Sequence, residues 1–103
     1  MSQLLTTLAA IKEPNLTEAQ LEQYSDSLTN LYAEMMIKMS DLKKARALYF
    51  YAKEQEHPEL PDVKIKRVWD ATDEGQELIK LEHYTKATNK VLSSLKSRLY
   101  HFI

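Results

Sequence analysis

Cysteine is absent from this chain, which removes disulfides, thiolate metal sites and cysteine nucleophiles at once. Glycine occurs once, at Gly75, and proline three times. Sheets with tight turns and phosphate-cradling loops draw on glycine, so a glycine-poor chain is best built from long helices joined by few turns. No run of about 18 apolar residues exists, so no membrane-spanning helix is expected. The segment Met1-Ser2-Gln3-Leu4-Leu5 lacks a basic lead and a long apolar stretch, so it is not expected to be a signal peptide. A cytoplasmic protein is expected. Charge of one sign is also missing. Lysine and arginine number 14 against 15 acids, so net charge gives no reason to expect nucleic acid or an anionic membrane as partner.

What is present is helical patterning in a chain of 103 residues, enough for a single domain. Residues 2–12 read as a short helix with Leu4, Leu5, Leu8 and Ile11 on one face, broken by Pro14-Asn15. Thr17-Glu18-Ala19-Gln20 is a capping box, in which Thr17 and Gln20 satisfy each other's free backbone amides. From there to residue 55 nothing stops a helix, and a rod of about 57 Å is expected. Its apolar series is Leu21, Tyr24, Leu28, Leu31, Met35, Leu42, Ala45, Tyr49 and Ala52. Lys38 falls in that series, and Met39 takes over as the stripe drifts. Residues 56–62 carry two prolines and form the turn, with Asp62 placed to cap the second arm. A second long helix is expected over 63–102, with a kink or restart near 70–75. Its stripe is Leu78, Leu81, Tyr84, Thr88, Val91, Leu95, Leu99 and Phe102. The fold class expected is therefore all-α: a long antiparallel hairpin with a short N-terminal helix, packing as an oligomeric bundle.

Charge is arranged in blocks. Residues 42–53 hold four bases and no acid, residues 54–62 four acids and no base, and residues 83–103 carry Lys86, Lys90, Lys96 and Arg98 without an acid. Folding the chain at Glu59 brings Lys43, Lys44 and Arg46 opposite Asp73, Glu74 and Glu77. It brings Glu22, Asp26 and Glu34 opposite Lys96, Lys90 and Lys86. Exposed pairs of this kind set register more than stability.

Two packed helices hide one stripe each, and the first helix has more than one to hide. Met36, Ile37 and Met39 widen its stripe, and the run Ala45-Arg46-Ala47-Leu48-Tyr49-Phe50-Tyr51-Ala52 is apolar on most faces. Tyr100 and Phe102 close the chain in an apolar cluster. Seven residues (Met36, Met39, Tyr49, Phe50, Tyr51, Tyr100 and Phe102) are the candidate protein interface, for self-association or a protein partner. Lys43, Lys44, Arg46 and Lys53 interleave with aromatics, and Lys64, Lys66 and Arg67 lie across the turn. Bases mixed with aromatics suit single-stranded nucleic acid, and equally an acidic protein. A carboxylate-free face of His83, Lys86, Lys90, Ser94, Ser97 and His101 admits two readings, a phosphate-contact strip or a solvated face opposite the core stripe. Glu54-Gln55-Glu56-His57 has the Glu-x-x-His spacing of di-iron bundles, but those sites need a second copy and two further glutamates. No cofactor, metal or catalytic residue is expected, because no triad spacing and no phosphate loop occurs.

Leu42-Lys43-Lys44-Ala45-Arg46-Ala47, Val63-Lys64-Ile65-Lys66-Arg67, and the arm from Leu81-Glu82-His83-Tyr84 through Leu95-Lys96-Ser97-Arg98-Leu99 together give a plan over residues 31–103. That plan resembles small helical-hairpin proteins encoded among the early and recombination genes of bacteriophages. The resemblance implies a virus-encoded accessory protein in a bacterial cytoplasm, one that modulates recombination machinery or inhibits a host defence protein. It carries over no catalytic residues. The function expected is a non-enzymatic interaction module, with an accessory nucleic-acid binder as the alternative.

Overall fold

A computed structural model describes residues 2–12 and 15–100. The described chain is four helices: α1 (Ser2–Ile11), α2 (Glu18–Glu56), α3 (Asp62–Ala71) and α4 (Asp73–Tyr100). The long α2 packs antiparallel against α4, with the short α1 at the N-terminal end.

Local chemistry explains where the helices begin. The Thr17 amide donates to Gln20 Oε1 at 2.9 Å and the Gln20 amide donates to Thr17 Oγ1 at 3.2 Å, closing the capping box at the start of α2. The turn spans residues 57–61. Asp62 is not the cap expected of it. Pro61 holds the cap position in extended backbone without a side-chain bond, and Asp62 is the first helical residue, where its charge favours the helix N-terminus.

The second arm is two helices rather than one, divided at Thr72, whose ψ of 160° leaves the helical range. Thr72 serves both sides of the break. Its hydroxyl donates to the Trp69 carbonyl at 2.6 Å and accepts the Gly75 amide at 3.0 Å, so it ends α3 and caps α4. The Gln76 side-chain amide also reaches back to the Asp70 carbonyl at 2.5 Å. Gly75 is needed for close approach. A Cβ there would stand 2.0 Å from the Trp69 carbonyl oxygen and 2.8 Å from Asp70 Cα, both backbone atoms.

The helices gather into two compact units. In the first, α1 and the start of α2 up to Met35 pack with α4 from Tyr84 onward. Leu4, Leu21, Leu28 and Leu95 are its most buried apolar side chains, and Arg98 donates to the Ile11 carbonyl at 2.8 Å, tying α4 to the end of α1. Thr85 and Thr88 are also buried in this unit. The buried side chains of α4 over both units are Leu78, Leu81, Thr85, Thr88 and Leu95, a heptad pattern. Tyr84 and Val91, expected in the stripe, are half-buried beside it. In the second unit, α2 from Met36, α3 and the start of α4 enclose Met39, Leu42, Ile65, Trp69, Leu78 and Leu81. The Tyr49 ring packs on Trp69 with centroids 5.5 Å apart.

Met39 is 6% exposed while the Lys38 side chain is out in solvent, as the drifting stripe implies. The charge register differs from the simple reflection about Glu59. Glu77 pairs with Lys38, three residues before position 41, which a reflection about Glu59 would set against it. Among the described residues, Glu22, Asp26 and Glu34 do not pair with Lys96, Lys90 and Lys86. The physical reason is that α3 occupies the reversal, so the arms do not fold back about a single residue.

Candidate interaction surface

The second unit gathers most of the residues singled out from the sequence. Met36 is 42% exposed and Tyr51 64%, whereas Phe50 and Tyr49 are half-buried, with rings 6.4 Å apart. Met39 is removed from the exposed set by its burial. It faces the same side of α2 as Leu42, and its neighbour Lys38 points away. Tyr100 is exposed at the end of α4, in the other unit, and Phe102 lies outside the described residues.

Apolar side chains outside that candidate set are exposed in this unit as well. Ile37 and Leu48 on α2 are 66% and 68% exposed, and Val63 and Val68 on α3 are also well exposed. The signal for Leu48 was available in the sequence. Ile37, Asp41, Lys44, Leu48 and Tyr51 repeat at alternating four- and three-residue spacing, a second helical line on the side away from the core stripe.

Where α2 ends against α3, an open groove of about 280 Å³ is lined by Tyr49, Leu60, Ile65 and Val68 together with Lys53, His57 and Lys64. Lys53 Nζ stands 5.6 Å from the Tyr49 ring centroid and 3.5 Å from Glu56. His57 Nδ1 is 3.4 Å from the Glu59 carboxylate. The groove lining therefore mixes apolar side chains with Lys53, His57 and Lys64, and Lys53 and His57 each stand beside an acid. The Glu54 and His57 pattern assembles no ligand set. Among the described residues there is no group of three or more His, Cys, Asp or Glu side chains placed to hold a metal.

The basic residues singled out for nucleic acid do not form one uninterrupted patch. Lys43, Lys44, Lys64 and Arg67 are exposed, and Arg46 is half-buried. Lys66 is tied to Asp70 at 2.9 Å along α3, and Lys53 has Glu56 beside it. Of the polar face on α4, His83 is exposed in the second unit and Lys86, Lys90, Ser94 and Ser97 are exposed in the first, while His101 lies outside the described residues. Among the described residues, no helix is long and apolar enough to cross a membrane.

Comparison of the chain with protein-family models, curated proteins and solved structures gives no match.

Proposed function

We propose that this chain is a non-enzymatic protein-interaction module that docks partners through its second unit. The observation that carries the reading is apolar exposure on two of that unit's helices at once: Ile37, Leu48 and Tyr51 on α2, Val63 and Val68 on α3. Leaving such side chains in water forfeits about 1.5–3 kcal/mol for each one that a partner would fully bury. Isolated exposed apolar residues are ordinary, but apolar side chains exposed on two helices of one unit, with Val68 lining a groove that also holds Lys53, His57 and Lys64, suit a protein interface. The resemblance to phage accessory proteins gives this module a role as a virus-encoded modulator or inhibitor of a host recombination or defence protein.

A nucleic-acid reading is favoured only by exposed Lys43, Lys44, Lys64 and Arg67, and Asp70 and Glu56 beside Lys66 and Lys53 weaken it. Affinity-tagged chain incubated with bacterial lysate, with and without nuclease, separates the two. A protein partner survives nuclease and is lost on Val68→Glu. A partner that vanishes with nuclease, and whose binding falls steeply with salt and on Lys43, Lys44 and Lys66 substitution, overturns the protein reading.

A further inference from the structure

The second line on α2 combines exposure with an ordered pattern of charge. Ile37, Asp41, Lys44, Leu48 and Tyr51 lie within a narrow strip on the side of the helix opposite Met39 and Leu42, which are buried. Every member of the strip is exposed. Two of its apolar members, Ile37 and Leu48, sit on either side of two opposite charges, Asp41 and Lys44. Neither charge has an ion-pair partner among the described residues.

Such a line is complementary to itself reversed. A second copy laid antiparallel sets Ile37 against Leu48 and Asp41 against Lys44. The twofold axis then repeats both pairs with the copies exchanged. The alternatives pair badly. In a parallel arrangement Asp41 meets Asp41 and Lys44 meets Lys44. Sliding the antiparallel copies by a heptad puts Ile37 against Gln55 and Leu48 against Lys44, or Ile37 against Asp41. Of these arrangements, one register joins apolar to apolar and acid to base over the four positions Ile37, Asp41, Lys44 and Leu48, with Tyr51 at its margin set against Glu34.

We infer that this face of α2 binds a second copy of the chain as an antiparallel homodimer, centred between Asp41 and Lys44. The inference rests on the reading of the chain as an interaction module and names the occupant of one of its two exposed apolar faces. The α3 face, with Val68 and the groove, is left for a different protein.

Sedimentation equilibrium of the full chain over a micromolar-to-millimolar series tests it. The wild type forms a dimer. Asp41→Lys and Lys44→Asp each place like charges at both central pairs and raise the dissociation constant about a hundredfold. Both sites are exposed, so far-UV circular dichroism stays that of the wild type. An equimolar mixture of the two variants restores a heterodimer, because the altered charges then oppose each other with correct sign. Since the chain has no cysteine, introduced thiols report register directly. Under mild oxidant, Ile37→Cys mixed with Leu48→Cys forms covalent dimers, and Ile37→Cys alone forms few.

A wild type that stays monomeric throughout the series overturns the inference, as does a dimer indifferent to Asp41→Lys, or a variant mixture that does not reassociate. A monomer whose capture of another protein is lost on Asp41→Lys also overturns it, by assigning this face to that protein. The broader interaction-module reading fails separately, when no nuclease-resistant partner depends on Val68, whatever the oligomeric state.

Discussion

Replacing the one glycine with alanine tests the junction between α3 and α4. Gly75 lies in the first turn of α4, and its φ is not positive, so backbone conformation alone would welcome alanine. Helix propensity favours the change by about 1 kcal/mol. Packing opposes it. The added Cβ would sit 2.0 Å from the Trp69 carbonyl oxygen, where a carbon–oxygen contact needs about 3.3 Å, and 2.8 Å from both Asp70 Cα and the Trp69 carbonyl carbon. All three are backbone atoms, so no rotamer change relieves the clash. The end of α3 must move by about an ångström. That movement strains the Thr72 cap and the Gln76 bond to Asp70. Overpacking costs about 1–3 kcal/mol and a lost cap about 1 kcal/mol. Packing wins, and Gly75→Ala is expected to destabilise the protein by about 2 kcal/mol, lowering the melting temperature by roughly 10 °C. Urea and thermal denaturation followed by far-UV circular dichroism, with Trp69 fluorescence as a second probe, measure it. A variant as stable as the wild type, or more so, would refute the close packing of α3 on the start of α4.

Thr72→Ala removes the hydroxyl that joins the Trp69 carbonyl to the Gly75 amide, and should cost about 1 kcal/mol in the same melts. Thr88 is fully buried and its hydroxyl has no hydrogen-bond partner among the described residues. Thr88→Val keeps the shape and removes the unpaired group, so stability should rise by about 1 kcal/mol, and a fall would show that the hydroxyl is bonded. Trp69 is 3% exposed, so its native emission should be blue-shifted. Trp69→Ala should cost about 3–5 kcal/mol, with a loss under about 1 kcal/mol contradicting its place in the core.

Features made by neighbours in sequence were legible. The Thr17–Gln20 box needs only residues three apart. The handover from Lys38 to Met39 comes from the mismatch between a helical turn and a heptad. Features made by helices meeting were less so. Tyr84 and Val91 were expected in the α4 stripe because they are apolar, yet the buried positions pass through Thr85, which continues the spacing set by Leu78, Leu81, Thr88 and Leu95. Position relative to the facing helix outweighed hydrophobicity. On the surface, counting apolar residues identified Met36 and Tyr51 but also Met39, because composition does not say which side of a wide stripe turns inward.

The amino-acid order alone determined that the chain is helical and where its first long helix starts, because caps, breakers and spacing act within a few residues. It also contained the reversed symmetry of Ile37, Asp41, Lys44 and Leu48. Only tertiary structure decided that this line faces solvent, that the expected kink is a full break at Thr72, and that Glu77 reaches Lys38. Each of these depends on which surfaces of distant segments touch, and burial is a property of that contact.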